Sequence, residues 1–150
     1  MQVKDLMSKK VQMVYADTPV AIAAEKMRTH DIGMLPVRDG DELIGTLTDR
    51  DITVRATANQ LHPEMIRSQD IMTPNVISCF EDQDVEEAGR IMHENKIRRL
   101  AVMNRQRNLV GILSIGDIAL GTGDMKLVGA LVQRVSMSDA PKPLPGQKRE

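Results

Sequence analysis

The chain has 150 residues and a mass of 16.7 kDa, enough for one compact domain or two small ones sharing a core. Hydrophobic residues make up 41% and charged residues 27%, which excludes a disordered or fibrous chain. Twenty Lys and Arg against 21 Asp and Glu leave a net charge of -1, which argues against a dedicated nucleic-acid binder.

The elements follow in chain order. The opening MQVKDLMSKK lacks the apolar core of a secretory signal. A short strand is predicted over Val11–Tyr15. A helix follows, capped by Asp17 or Thr18 with Pro19 in its first turn. Its apolar face is Val20, Ala23, Ala24 and Met27, at helical spacing. Strands Met34–Arg38 and Leu43–Leu47 flank a polar turn, and a second helix starts near Thr48. Residues 57–67 form a connector, in which His62-Pro63 breaks any entering helix.

The order then returns. A strand over Val76–Phe80 leads to a helix capped by Asp84, with Glu87 completing a capping box. Its face is Val85, Ala88, Ile91 and Met92. Strands Leu100–Met103 and Leu109–Leu113 precede a helix from Ser114. GTGD breaks the chain. The stripe Met125, Val128, Leu131, Val132 and Val135 then predicts an amphipathic helix within 121–136, packed on the body or on a second copy. The Pro-rich polar residues 137–150 read as a disordered tail.

The chain is therefore duplicated. At an offset of 65, Asp5 meets Asp70, Met7 meets Met72, Ala23 meets Ala88, Met27 meets Met92 and Leu35 meets Leu100. From the hairpin onward the offset is 66, pairing Gly45 with Gly111, Leu47 with Leu113 and Asp51 with Asp117. The single slip falls in a polar turn, where insertion costs least. Residues 1–56 and 68–120 form two β-α-β-β-α repeats of an α+β fold, expected to pair about a pseudo-twofold axis and share one core. Each half alone is marginal by size.

One element recurs with chemistry in it. Gly45-Thr46-Leu47-Thr48-Asp49-Arg50-Asp51 matches Gly111-Ile112-Leu113-Ser114-Ile115-Gly116-Asp117. Each hydroxyl sits where a strand becomes a helix, beside unpaired N–H groups that favour an anion. Asp51 and Asp117, acceptor-only when ionised, suit the two donors of a ribose diol. The same T-x-x-D and S-x-x-D spacing is that of a capping box, and a cap can also face a ligand. The glycines permit close backbone approach.

These strings, with VKDLM and SQDIMTPNVIS at the repeat starts and DIGMLPV and KIRRLAV before the hairpins, resemble a pair of CBS domains, the module named after cystathionine β-synthase. The resemblance runs from about Val3 to Ala119 and is to stand-alone bacterial pairs. It implies two related clefts that take adenosine compounds such as AMP, ADP, ATP or S-adenosylmethionine. The hydroxyl would contact phosphate and the aspartate ribose. One cleft would use Gly45, Thr48 and Asp51, the other Gly111, Ser114 and Asp117. Residues before the middle strands, Ile32, Gly33 and Met34 and Ile97, Arg98 and Arg99, would border the ligand. The opposite repeat's first strand would close over the base with Lys10 and Gln12, or Asn75 and Ile77. Arg98 and Arg99 favour the Ser114–Asp117 cleft for a phosphorylated ligand, because a guanidinium grips phosphate with two donors.

Other chemistry finds no set of residues. His30, His62 and His93 lack metal-ligand spacing, and no Walker loop or nucleophile elbow is present. Cys79, the one cysteine, forms no intramolecular disulfide and suits a cytoplasmic protein. No apolar run approaches the roughly 18 residues of a membrane span. With only Tyr15 and Phe80 as aromatics, the 11 methionines serve mostly as core filler. The expectation is a non-enzymatic, homodimeric adenine-nucleotide sensor acting on an unknown regulated protein. The alternative is a dimerising scaffold with empty clefts.

Overall fold

The computed structural model describes residues 1–137; the expected tail beyond Met137 lies outside the described residues. The chain forms two sheets. The first holds β1 (Val14–Tyr15), β2 (Met34–Asp39), β3 (Glu42–Thr48) and β4 (Thr73–Pro74) in that order. The second holds β5 (Ser78–Phe80), β6 (Arg99–Met103) and β7 (Leu109–Ser114). In each, a parallel pair is crossed by one helix, α2 (Val20–His30) or α5 (Val85–Asn95), and an antiparallel hairpin follows. The hairpins share a register: Met34 faces Thr48 as Arg99 faces Ser114, and each carries one bulge, at Val37/Arg38 and Val102/Met103.

The repeats bury separate cores, not the single one expected. Val14, Val20, Ala23, Met27, Leu35, Val37, Leu47, Ala56 and Ile71 fill the first. Val3, Cys79, Val85, Ala88, Met92, Leu100, Val102, Leu113, Ile118 and Leu131 fill the second. What joins the repeats is an exchange of lead segments. Helix α1 (Val3–Leu6) opens the first repeat yet seats Val3 in the second core. Val3 N–H donates to Gln83 O and Lys4 N–H to Glu81 O, and Ser8 bridges Ile112. Conversely, α4 (Ser68–Ile71) and β4 open the second repeat, while Ile71 enters the first core and β4 pairs with β3. The buried Ser68 Oγ donates to Thr18 O at 2.7 Å.

Several boundaries differ from the sequence expectation. The first strands are shorter, starting at Val14 and Ser78, because the residues before them diverge toward the other repeat. Neither Asp17 nor Thr18 caps α2; Pro19 is its N-cap, and the connector supplies the acceptors. Val20 N–H reaches Ile66 O and Ala21 N–H reaches Pro63 O, both at 3.0 Å, while Thr18 Oγ1 accepts from Tyr15 N–H. Asp84 does cap α5 through Glu86 N–H, but Glu87 accepts from Gln83 Nε2 rather than closing a box.

The helices after the two hairpins also part ways. The first is α3 (Asp49–Asp51) continued by a π-helical turn over Ile52–Thr57. The second, α6 (Ile115–Thr122), is regular and ends at Gly123, whose φ of 64° suits a residue without Cβ. Helix α7 (Met125–Ser136), capped by Asp124 through Leu127 N–H, packs Leu131 onto the second core. Arg134 Nε ties it to His93 O at 3.1 Å. No described helix is long and apolar enough to cross a membrane.

Candidate functional site

Both recurrent elements fold identically at the backbone. Thr48 and Ser114 are N-caps with φ -110° and ψ 161°. Thr48 Oγ1 accepts from Asp51 N–H and Asp51 Oδ2 from Thr48 N–H, each at 3.0 Å. Ser114 Oγ accepts from Asp117 N–H at 3.0 Å, and Asp117 Oδ2 from Ser114 N–H at 2.9 Å. These are reciprocal capping boxes. The cap does not exhaust the groups. Each hydroxyl only accepts here and keeps its own proton to donate, and each carboxylate has a second oxygen.

Two clefts of about 250 Å³ each open between the repeats, just below the range of roughly 300–1,000 Å³ typical of small-molecule sites. The first gathers Thr48 and Met34 from one repeat with Asn75, Ile77, Ile97, Arg98 and Arg99 from the other. The second gathers Ser114, Asp117 and Arg99 with Lys10, Gln12, Ile32, Gly33 and Met34. Each hydroxyl thus meets the other repeat's lead segment. Arg98 lies with Thr48, not with Ser114, and Arg99 borders both clefts. The expectation that both arginines serve the Ser114 cleft is corrected: Arg98, which immediately precedes β6, instead lines the Thr48 cleft. Lys10 is the cation that the Ser114 cleft gains instead. Neither Arg98 nor Arg99 has a side-chain partner among the described residues.

Asp51 and Asp117 differ. Asp117 is half-exposed and lines its cleft. Asp51 is only 8% exposed and does not line the Thr48 cleft. Gly45 and Gly111 line neither. A Cβ on Gly45 would stand 2.6 Å from Thr73 O and from Met72 Sδ; one on Gly111 would stand 2.5 Å from Met7 Sδ. Their missing side chains admit the exchanged lead segments, so their close approach is to protein.

Sequence reasoning passed over Ser8 and Thr73, which line the second and first cleft respectively. They are partners at offset 65, both hydroxyls, so the repeat itself carried a signal. Asp31, whose φ of 52° places it in a left-handed turn, also lines the Ser114 cleft and was not singled out. Cys79 is buried, and desolvation pushes its thiol up to about 11, so it is no nucleophile near pH 7. No cluster of three or more His, Cys, Asp or Glu positioned for a metal exists among the described residues.

The profile of the CBS domain matches residues 3–56 and again 68–120. The chain belongs to the CBS-domain family. It is 34% identical over 134 residues to the CBS domain-containing protein YhcV of Bacillus subtilis, covering 89% of this chain and 94% of that one. It superposes on Hypoxic Response Protein I, crystallised with two coordinated zinc ions, at a TM-score of 0.72 and 33% identity, covering 81% of this chain and 98% of that one. The CBS pair of protein MJ0100, in complex with 5′-methylthioadenosine and S-adenosyl-L-methionine, gives a TM-score of 0.72 at 30% identity, covering 82% and 96%. CBS pairs are regulatory ligand-binding modules, and this chain has that fold.

Proposed function

We propose that this CBS pair is a non-enzymatic regulatory module that binds an adenosine-type ligand, such as AMP, ADP, ATP or S-adenosylmethionine, between its repeats. The observation that carries the reading is the makeup of the Ser114 cleft. A carboxylate, a cap hydroxyl and a lysine converge there from both repeats beside the apolar Ile32 and Met34. Asp117 offers acceptors to a ribose diol. Ser114 and Lys10 offer donors to phosphate or to another polar substituent. Ile32 and Met34 give a flat ring apolar contact.

Because both repeats contribute, a bound ligand stabilises one arrangement of the pair. It shifts a conformational equilibrium only by its differential affinity for the two states. That change passes to a regulated protein, in the cytoplasm and through a homodimer. The ligand-free scaffold is supported by one observation of its own. Leu120 is 91% exposed and Met125 81%, leaving an apolar surface at the start of α7 for another chain.

Titration calorimetry with AMP, ATP, S-adenosylmethionine and 5′-methylthioadenosine decides between them, with mass spectrometry of the purified protein for a retained nucleotide. The expected result is saturable heat with at least one compound. It comes with a stabilisation of roughly 2.7 kcal/mol at about 100 times Kd. No heat from any of the four, and no retained nucleotide, overturns the sensor and leaves the scaffold.

A further inference from the structure

The duplicated caps are alike, yet what packs behind them is not. At offset 66, Arg55 corresponds to Gly121; at offset 65, Ile71 corresponds to Leu6. In the first repeat the Arg55 guanidinium fills the space behind the cap. Its Nη1 donates to Ile71 O at 3.0 Å, Met72 O at 3.1 Å and Thr73 Oγ1 at 3.2 Å. The same nitrogen stands 3.6 Å from Asp51 Oδ1. In the second repeat Leu6 occupies this space, so close to Gly121 that a Cβ there would collide with it. Among the described residues, Asp117 therefore has no cation behind it.

The carboxylates are left in different states of use. Asp51 gives Oδ2 to Thr48 N–H and faces Arg55 with Oδ1. Asp117 gives Oδ2 to Ser114 N–H, and its Oδ1 has no partner among the described residues. Arg55 also sits in the π-helical turn, whereas α6 is regular at the corresponding positions. Such turns inside helices recur at functional sites. The Thr48 cleft keeps its hydroxyl and the unpartnered Arg98 and Arg99, so it retains donors for an anion, but no carboxylate lines it to accept from both hydroxyls of a diol.

We propose that Arg55 is a specificity-determining residue: it holds Asp51 inside the first repeat, denies the Thr48 cleft a carboxylate for a diol, and confines nucleoside binding to the Ser114–Asp117 cleft. This rests on the nucleoside reading above and adds to it which cleft binds and what closes the other.

The test is calorimetry with 5′-methylthioadenosine, a nucleoside without phosphate, so that anion contacts add nothing. The wild-type protein is expected to titrate one site per chain. Asp117→Asn weakens that site about tenfold or more, and Asp51→Asn changes it less than about twofold. Arg55→Ala frees Asp51 and raises the stoichiometry to two; adding Asp51→Asn returns it to one. Two sites in the wild type, an unchanged single site in folded Arg55→Ala, or equal losses from Asp51→Asn and Asp117→Asn would overturn the proposal. If circular dichroism shows Arg55→Ala unfolded, the two aspartate variants decide alone. A wild type that binds through Asp51 removes only the role of Arg55. One that binds no nucleoside removes the functional reading and this assignment together.

Discussion

The two repeats share the backbone of their caps and hairpin ladders and differ in their surroundings. Their caps have the same φ and ψ, and their hairpins the same register and bulge. Yet the second repeat is roofed by α7 and anchored by Leu6, whereas the first is closed by its connector and by Arg55. The lesson is that a duplicated motif reproduces geometry, and the neighbours decide which groups stay available. Asp51 and Asp117 make the same cap bond. Only the carboxylate without a guanidinium behind it lines a cleft.

The largest effect is expected where the second repeat has something the first lacks. Leu131 of α7 is 2% exposed in the second core. Leu131→Ala should cost about 2–5 kcal/mol, read as a lower denaturation midpoint. Cys79 supplies a second readout, since its buried thiol reacts only when that core opens, so labelling by a thiol reagent should speed up. The exchanged lead segments tie the cores together, so amide exchange should accelerate in β2 and β3 as well as in β6 and β7. Acceleration confined to the second sheet would show that the repeats open separately.

The paired glycines come next. At Gly45 a new Cβ meets the Thr73 carbonyl, which is fixed in the β3–β4 ladder, at 2.6 Å. At Gly111 it meets mainly Met7 Sδ at 2.5 Å, the end of a flexible side chain, with Ser8 O at 3.0 Å. Gly45→Ala should therefore cost about 1–3 kcal/mol and Gly111→Ala less, measured by urea unfolding. The reverse order would mean that the two lead segments are not held with the stiffness their contacts imply.

How much of this was legible depended on the range of the interaction. Periodicity and the offset placed the central strands and the helices, because Ala23, Met27, Ala88 and Met92 repeat a local pattern. The Asp84 cap was visible for the same reason. The α2 cap was not, since its acceptors, Pro63 O and Ile66 O, come from more than 40 positions away. The exchange of lead segments was hidden too. Ser8 and β4 pair over one or two residues, too few for strand alternation to register. In the site, the residue types and spacing were readable. The destination of Arg98 was not, because it depends on how the turn before β6 meets the other repeat.

The cap hydroxyls separate stability from binding. Thr48→Ala and Ser114→Ala each remove the acceptor for one helix N–H and should cost about 1 kcal/mol, equally in both repeats. Their effects on nucleotide affinity should differ, with Ser114→Ala the larger, because it also removes a donor from the cleft that holds Asp117. Equal losses of affinity would mean that the clefts are used alike.

The smallest effect tests the one-residue slip between the repeats. The second hairpin, one residue longer, carries Arg105, which pairs with Asp82 at 2.8 and 3.0 Å and lies 4.1 Å from the Phe80 ring centre. The first repeat places Arg38 6.0 Å from the Tyr15 ring centre and pairs it with Asp41 in its own hairpin. Asp17, the counterpart of Asp82, has no such partner among the described residues. The Arg105 side chain holds the Asp82 carboxyl below its ordinary 3.8. A lowered carboxylate pKa means the native state keeps the charge longer than the unfolded chain. The stabilisation is therefore complete above about pH 4 and lost as the pH falls through the lowered value. Both groups are exposed, so solvent and salt screen most of the attraction. Asp82→Asn should lower the melting temperature slightly at neutral pH, and less in high salt or strong acid. Arg105→Ala should lower it further, since it also uncovers the ring, and salt should not abolish that part. Asp17→Asn should leave it unchanged. If Asp17→Asn matched Asp82→Asn, the Arg105 pairing would add nothing, and the repeats would be more alike at this edge than their pairings indicate.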